Sequence, residues 1–175
     1  MKTIVVNLLG GPCCGKSTLA AGIFHYLKTQ SIDCELAGEV AKDKVWSESY
    51  TDLKDQIFIF GCQYHRIWRL NGKVQVCIAD SPLLLVPLYS RVESNYFTDF
   101  IIEQHKQFNN INYFIERNTD FNENGRIHSL EDSKIIDNQI LDLMHKYDIE
   151  YKTVQNTCAL EQICSEIMQL LKSEE

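Results

Sequence analysis

The stretch Gly10-Gly11-Pro12-Cys13-Cys14-Gly15-Lys16-Ser17 matches G-x-x-x-x-G-K-[ST], and nothing else in the chain restricts its fold so tightly. That pattern does its chemistry only as a loop joining a buried strand to the start of a helix. The flanking residues supply both. Thr3 to Leu9 is a short, β-rich apolar run that ends in Gly10-Gly11-Pro12, as expected of a buried strand entering a turn. From about Lys16 to Lys28, Leu19, Ile23 and Leu27 recur at four-residue spacing, which predicts a helix.

The rest of the chain continues this alternation. Asp33 to Ala37 reads as a second strand, and Glu39 to Tyr50 as a short helix and loop. From Asp52, the residues Leu53, Ile57, Phe60, Tyr64, Ile67 and Trp68 predict one long helix to about Leu70, stopped by Asn71-Gly72. Val74 to Ala79 is a third strand, Asn95 to Phe108 a helix and Asn112 to Ile115 a fourth strand. After the polar loop Glu116 to His128, Ser129 and Asp132 mark the start of a helix to about Lys146. Glu150 to Val154 is a fifth strand, and Leu160 to Leu171 a closing helix. Strands alternating with helices predict an α/β fold of three layers, with a central, mostly parallel five-stranded sheet covered on both faces. No repeat or Pro/Gly/Ser linker divides the 175 residues, so they read as one domain, with a lid-like loop at about 116–128.

Composition excludes several classes. With 45% apolar residues the chain is not a disordered tail. With 17 Lys+Arg against 24 Asp+Glu, the net charge of −7 gives no overall basic field of the kind that coats duplex nucleic acid. No apolar run approaches the roughly 20 residues of a membrane span, and Asn7 and Lys16 interrupt what would otherwise resemble a secretory signal. Seven cysteines without regular spacing suggest reduced thiols in a cytosol rather than a disulfide framework.

The glycine-rich loop points to phosphate chemistry. Its glycines let successive backbone N–H groups turn inward around an anion, and the following helix adds the positive end of its dipole. Gly10, Gly11, Pro12, Cys13, Cys14, Gly15, Lys16, Ser17 and Thr18 are therefore the expected contacts of ATP. Lys16 would reach the β- and γ-phosphates and Ser17 would bind Mg²⁺; Thr18 either starts the helix or touches the α-phosphate. Asp80 closes the third strand, where a carboxylate orients the metal's water shell, although before Ser81-Pro82 it also suits a turn. Glu39 follows the second strand, either as a general base for an acceptor hydroxyl or as the first-turn acid of a helix. Gln63 and Arg66 lie three apart on one helix face, which is either an acceptor-binding surface or a solvated one. Arg117 and Arg126 flank the polar loop, placed to fold over phosphates and stabilise transferring charge.

On these residues the chain resembles P-loop kinases of the nucleoside and nucleotide type. It is particularly similar to the small AAA-type ATPase/kinase proteins of bacteriophage genomes, which are related to the kinase domain acting on ribosylnicotinamide. The similarity lies in Gly10–Ser17, Gly38-Glu39-Val40-Ala41-Lys42, Asp55-Gln56 through Gly61-Cys62-Gln63, and Ile78-Ala79-Asp80-Ser81-Pro82. It implies ATP- and Mg²⁺-dependent phosphoryl transfer to a nucleoside, nucleotide or similar small acceptor, in the cytoplasm, a host's if phage-encoded. By analogy with deoxynucleoside kinases, it also implies that Glu39 is the base and that Gln63 contacts a nucleobase. Those kinases usually carry an arginine beside the acid after the third strand, where this chain has Ser81-Pro82. Two other readings stand beside it. One is a kinase acting on hydroxymethyl-pyrimidine DNA or nucleic-acid ends, using His65, Arg66, Arg69, Lys73 and Arg91. The other is an ATP-hydrolysing switch with no acceptor.

Overall fold

Every residue of β1 (Ile4–Leu9) is buried, as a central strand covered on both faces requires. The computed structural model, which describes residues 2–90, 95–117 and 130–173, places β1 between β3 (Val76–Ala79) and β4 (Asn109–Glu116). β2 (Cys34–Ala37) and β5 (Lys152–Gln155) lie at the edges, giving the order β2-β3-β1-β4-β5. Every pairing is parallel, so the sheet expected to be mostly parallel is entirely so. Successive side chains of a strand point to opposite faces, and β1 shows this directly. Ile4, Val6 and Leu8 enter one apolar cluster with Leu19, Ile23 and Leu27 of α1 (Lys16–Thr29) and Ala159, Ile163 and Ile167 of α8 (Asn156–Ser173). Val5 and Leu9 enter the opposite layer. Val5 joins Phe60, Ile67 and Ile101, and Leu9 joins Ile136, Ile140 and Met144. That second layer is built from α4 (Gln56–Trp68), α6 (Asn95–Lys106) and α7 (Leu130–Lys146).

The single helix expected from Asp52 to Leu70 is two helices. After α2 (Val40–Trp46) come α3 (Tyr50–Lys54) and α4, with Asp55 between them in an extended conformation at φ −84° and ψ 88°. The Asp55 carboxylate accepts the Phe58 N–H at 3.1 Å, and such a cap starts a new helix. Four-residue spacing from Leu53 to Ile57 masked the break. Neither belongs to the core: α3 buries nothing, and Ile57 is 61% exposed. Strand β4 begins three residues before the expected Asn112, because its asparagines find partners inside. Asn7 Nδ2 donates to Asn110 Oδ1 and Asn112 Nδ2 donates to the Glu150 carbonyl, both at 2.9 Å. The apolar residues after Pro82 form a turn of 3₁₀ helix, Leu83–Leu85, followed by α5 (Val86–Tyr89). Among the described residues no helix is long and apolar enough to cross a membrane.

His105 of α6 is 3% exposed. Burial, reinforced by the neighbouring Lys106 charge, lowers its pKa from 6.5 to about 4. Between those values the unfolded chain takes up a proton that the folded chain refuses, so stability should fall as pH drops from 6.5 towards 4. The limiting slope is about 1.4 kcal/mol per pH unit. Urea midpoints at pH 7 and pH 5 should therefore diverge more for the parent than for His105→Gln. Equal losses in the two proteins would assign the acid sensitivity to other groups.

Candidate functional site

In a parallel sheet all the carboxyl ends of the strands share one edge, and ligands bind in the crevice outside it. Here each strand delivers a polar group or loop to that edge. β2 leads to Gly38-Glu39, β3 to Asp80, β1 to the loop Gly10–Lys16, β4 to Arg117 and β5 to Asn156. Registers of Ala37 with Ala79 and of Asn7 with Ala79 hold Gly38 and Asp80 level with the last turn of β1.

The loop after β1 is shaped as an anion cradle. Gly15 has φ +93°, a left-handed conformation that glycine adopts without steric cost, and it turns the chain directly into α1. No side chain caps that helix and no acid lies in its first turn, so its positive end is not internally neutralised. Lys16 reaches back over the loop, and its Nζ donates to the carbonyls of Gly10 at 2.7 Å and Gly11 at 2.9 Å. Ser17 is half-buried in the first turn and Thr18 is exposed beside it. Cys14 is buried, its Sγ 3.7 Å from Lys16 Nζ, whereas Cys13 is half-buried at φ 65°.

Two residues with no motif to announce them hold this loop in place. Asn156 Nδ2, at the start of α8, donates to the Cys14 carbonyl at 2.8 Å and packs against Gly15. Asp137 of α7 accepts the Gly11 N–H on Oδ1 at 2.6 Å, while its Oδ2 accepts Arg117 Nε at 2.9 Å. Arg117 also donates to the Pro12 carbonyl at 3.2 Å. Asp137 lies one helical turn from Ser133, a fully buried polar residue. Polar residues four apart beside the Ile136 and Ile140 stripe were the only sequence sign of this contact.

The fit also requires glycine at position 11. A Cβ there would lie 2.6 Å from the Ser133 carbonyl oxygen and 3.0 Å from Asp137 Oδ1, so either α7 or the loop would have to move. Gly11→Ala should cost about 1–3 kcal/mol, the usual range for overpacking, and weaken nucleotide binding. An unchanged urea midpoint would mean that α7 does not rest on the loop.

The residues read as an acceptor surface take a different place. Gln63 is 1% exposed. Its Oε1 accepts the Val40 N–H at 3.0 Å, and its Nε2 donates to the Gly38 carbonyl at 3.1 Å. Arg66 Nη1 donates to the same carbonyl at 3.0 Å, and Nη2 pairs with Asp43. Gln63 and Arg66 do share a face, and that face meets the turn after β2: Gln63 fastens the backbone on both sides of Glu39, and Arg66 fastens the Gly38 carbonyl. Glu39 itself begins α2 and is half-buried. Tyr89, at the end of α5, is 41% exposed. Crowding around its phenol, then the negative charges of Glu39 and Asp137, push its pKa up to about 12.

Asp80 is 8% exposed, and its Oδ1 is buried without a hydrogen-bond partner. A carboxylate oxygen so placed is costly unless something else engages it, and a hydrated cation between Asp80 and Ser17 would do so. Among the described residues no cluster of three or more His, Cys, Asp or Glu is set to hold a metal. Arg126 and most of the expected lid lie outside the described residues.

Comparison with known proteins agrees with this geometry. Residues 5–162 match the family AAA_28, described as an AAA domain. No protein of curated function matches the sequence. Among solved structures the chain is similar to the NadR protein in complex with NR, with a TM-score of 0.64 and 17% identity. The similarity covers 88% of this chain and 45% of that one, so the chain spans less than half of NadR's length. The shared architecture is the P-loop NTPase α/β fold.

Proposed function

The chain belongs to the AAA_28 family of AAA domains, and from that membership and the geometry of the sheet edge we propose that it is a Mg²⁺- and ATP-dependent kinase of small, nucleoside-like acceptors. The supporting observation is the clamp on Glu39. Gln63, buried to 1% exposure, commits both ends of its amide to the residues flanking Glu39. An acid held in place at this sheet edge can take the proton of a hydroxyl that attacks the γ-phosphate. The NadR structure holds NR, which supports a nucleoside-type acceptor.

In this reading the loop from Gly10 to Thr18 binds the triphosphate, and Lys16 leaves the Gly10 and Gly11 carbonyls to reach the β- and γ-phosphates. Mg²⁺, when bound, neutralises charge on the β- and γ-oxygens, with Ser17 and Asp80 as its protein contacts. Glu39 takes the proton of the acceptor hydroxyl as that oxygen forms its bond to the γ-phosphorus. The bond to the β-γ bridging oxygen breaks and ADP leaves. Arg117 lies beside the loop to balance charge spreading over the transferred group.

The test is transfer from γ-labelled ATP to a panel of nucleosides, nucleoside monophosphates, ribosylnicotinamide and hydroxymethyl-pyrimidine DNA. Label on a nucleoside or nucleotide is the expected result. Label on DNA alone would move the acceptor to a polymer, and free phosphate alone would replace the kinase with an ATPase switch.

A further inference from the structure

The pairing of Arg117 with Asp137 goes a step further than the proposed kinase reading, and rests on it. All three guanidinium nitrogens are engaged. Nε and Nη2 hold Asp137 Oδ2 at 2.9 and 2.7 Å, Nη1 donates to the Pro12 carbonyl, and Nη2 also reaches the Ser133 carbonyl at 3.4 Å. The other carboxylate oxygen accepts the Gly11 N–H at 2.6 Å. Both side chains are largely enclosed, with 13% of Arg117 and 17% of Asp137 exposed. A carboxylate therefore sits where the phosphate loop offers a backbone donor, and it neutralises an arginine beside that loop.

We propose that Asp137 is an internal competitor of the nucleotide's phosphates, which sets how tightly the loop holds a polyphosphate. The carboxylate imitates a phosphate in two respects: one oxygen accepts a loop N–H, and the other accepts both N–H groups of a guanidinium edge. A triphosphate entering the cradle meets a fixed negative charge, and it gains Arg117 only by drawing it away from Asp137. Affinity for ATP is thereby held down, and the same charge speeds the departure of ADP. Asn7, Asn112 and Asn156 serve this protein as neutral amide contacts. Position 137 carries the charged residue of the same shape.

Asp137→Asn separates charge from packing, because the amide oxygen can still accept the Gly11 N–H. One unit charge at loop distance, in a partly solvated site, corresponds to roughly a three- to thirtyfold change in affinity. Calorimetric titrations with Mg²⁺ should show Asp137→Asn binding ATP more tightly by about that factor. The gain should be smaller for ADP, smaller again for AMP, and absent for adenosine. A merely structural role predicts weaker binding of all four, and equal or weaker ATP binding by the variant would overturn the proposal. So would a gain as large for adenosine as for ATP. Asp137→Ser, which is shorter and also uncharged, should give the same gradient and serves if the asparagine variant does not fold. Failure of the parent to bind ATP at all would instead remove the nucleotide-site reading, and this inference with it. These are binding readouts without an acceptor, so a wrong acceptor assignment leaves them untouched.

Discussion

Lys16→Ala should lower phosphoryl transfer from ATP by at least about 10²–10³-fold, the usual effect of removing a preorganised charge from a developing anion. The fold should survive. Lys16 is half-buried, and its Nζ contacts within the loop are to the carbonyls of Gly10 and Gly11 and to Cys14 Sγ. Loop shape depends on other contacts: Gly15 at φ +93°, Asn156 on the Cys14 carbonyl and Asp137 on the Gly11 N–H. Removing the ammonium should therefore take away a cation without collapsing the cradle around it. The variant's urea midpoint should stay near the parent's while its transfer rate collapses. Parental transfer by a folded Lys16→Ala protein would mean that the donor phosphates bind elsewhere, whatever the loop's sequence suggests.

That loop was legible because it is local. Eight consecutive residues specify a backbone path, and the strand and helix on either side follow from apolar spacing over a few turns. A mainly parallel sheet covered on both faces was legible for the same reason, since strand-helix alternation admits few arrangements, whereas the strand order was not. What escaped was non-local. Asp137 reaches Gly11 across 126 residues and Asn156 reaches Cys14 across 142, and no motif announces either partner. The break at Asp55 escaped for another reason: a capping carboxylate interrupts a helix without disturbing the four-residue spacing of its neighbours. The contacts of Gln63 escaped because helical spacing identifies which residues share a face and not what that face meets. It meets the turn after β2, whose Gly38 carbonyl and Val40 N–H have no strand partner beyond Ala37.

The contacts of Gln63 sharpen the prediction for Glu39. Glu39→Gln keeps the side chain's length and leaves the Gln63 and Arg66 contacts to residues 38 and 40 unchanged, so the turn should hold its place. Only the ability to accept a proton is lost. If Glu39 takes the acceptor's proton, kcat should fall by about 10²–10⁴-fold, the range of general-base catalysis, while ATP affinity stays within about twofold by the same reasoning. Gln63→Leu should mimic part of this defect by another route. It leaves the Val40 N–H and the Gly38 carbonyl without their amide partner, so the base is present but less well held, and small misplacements of a reacting group are costly. The two variants differ in their response to pH. The Gln63 variant should keep the parental acid limb of its rate profile because the carboxylate remains, whereas Glu39→Gln should lose that limb. A Glu39→Gln protein that transfers phosphate normally but binds Mg·ATP poorly would place this carboxylate with Ser17 and Asp80 at the metal. The acceptor's proton would then have to leave by another route, with Asp80 the nearest remaining carboxylate on the neighbouring strand.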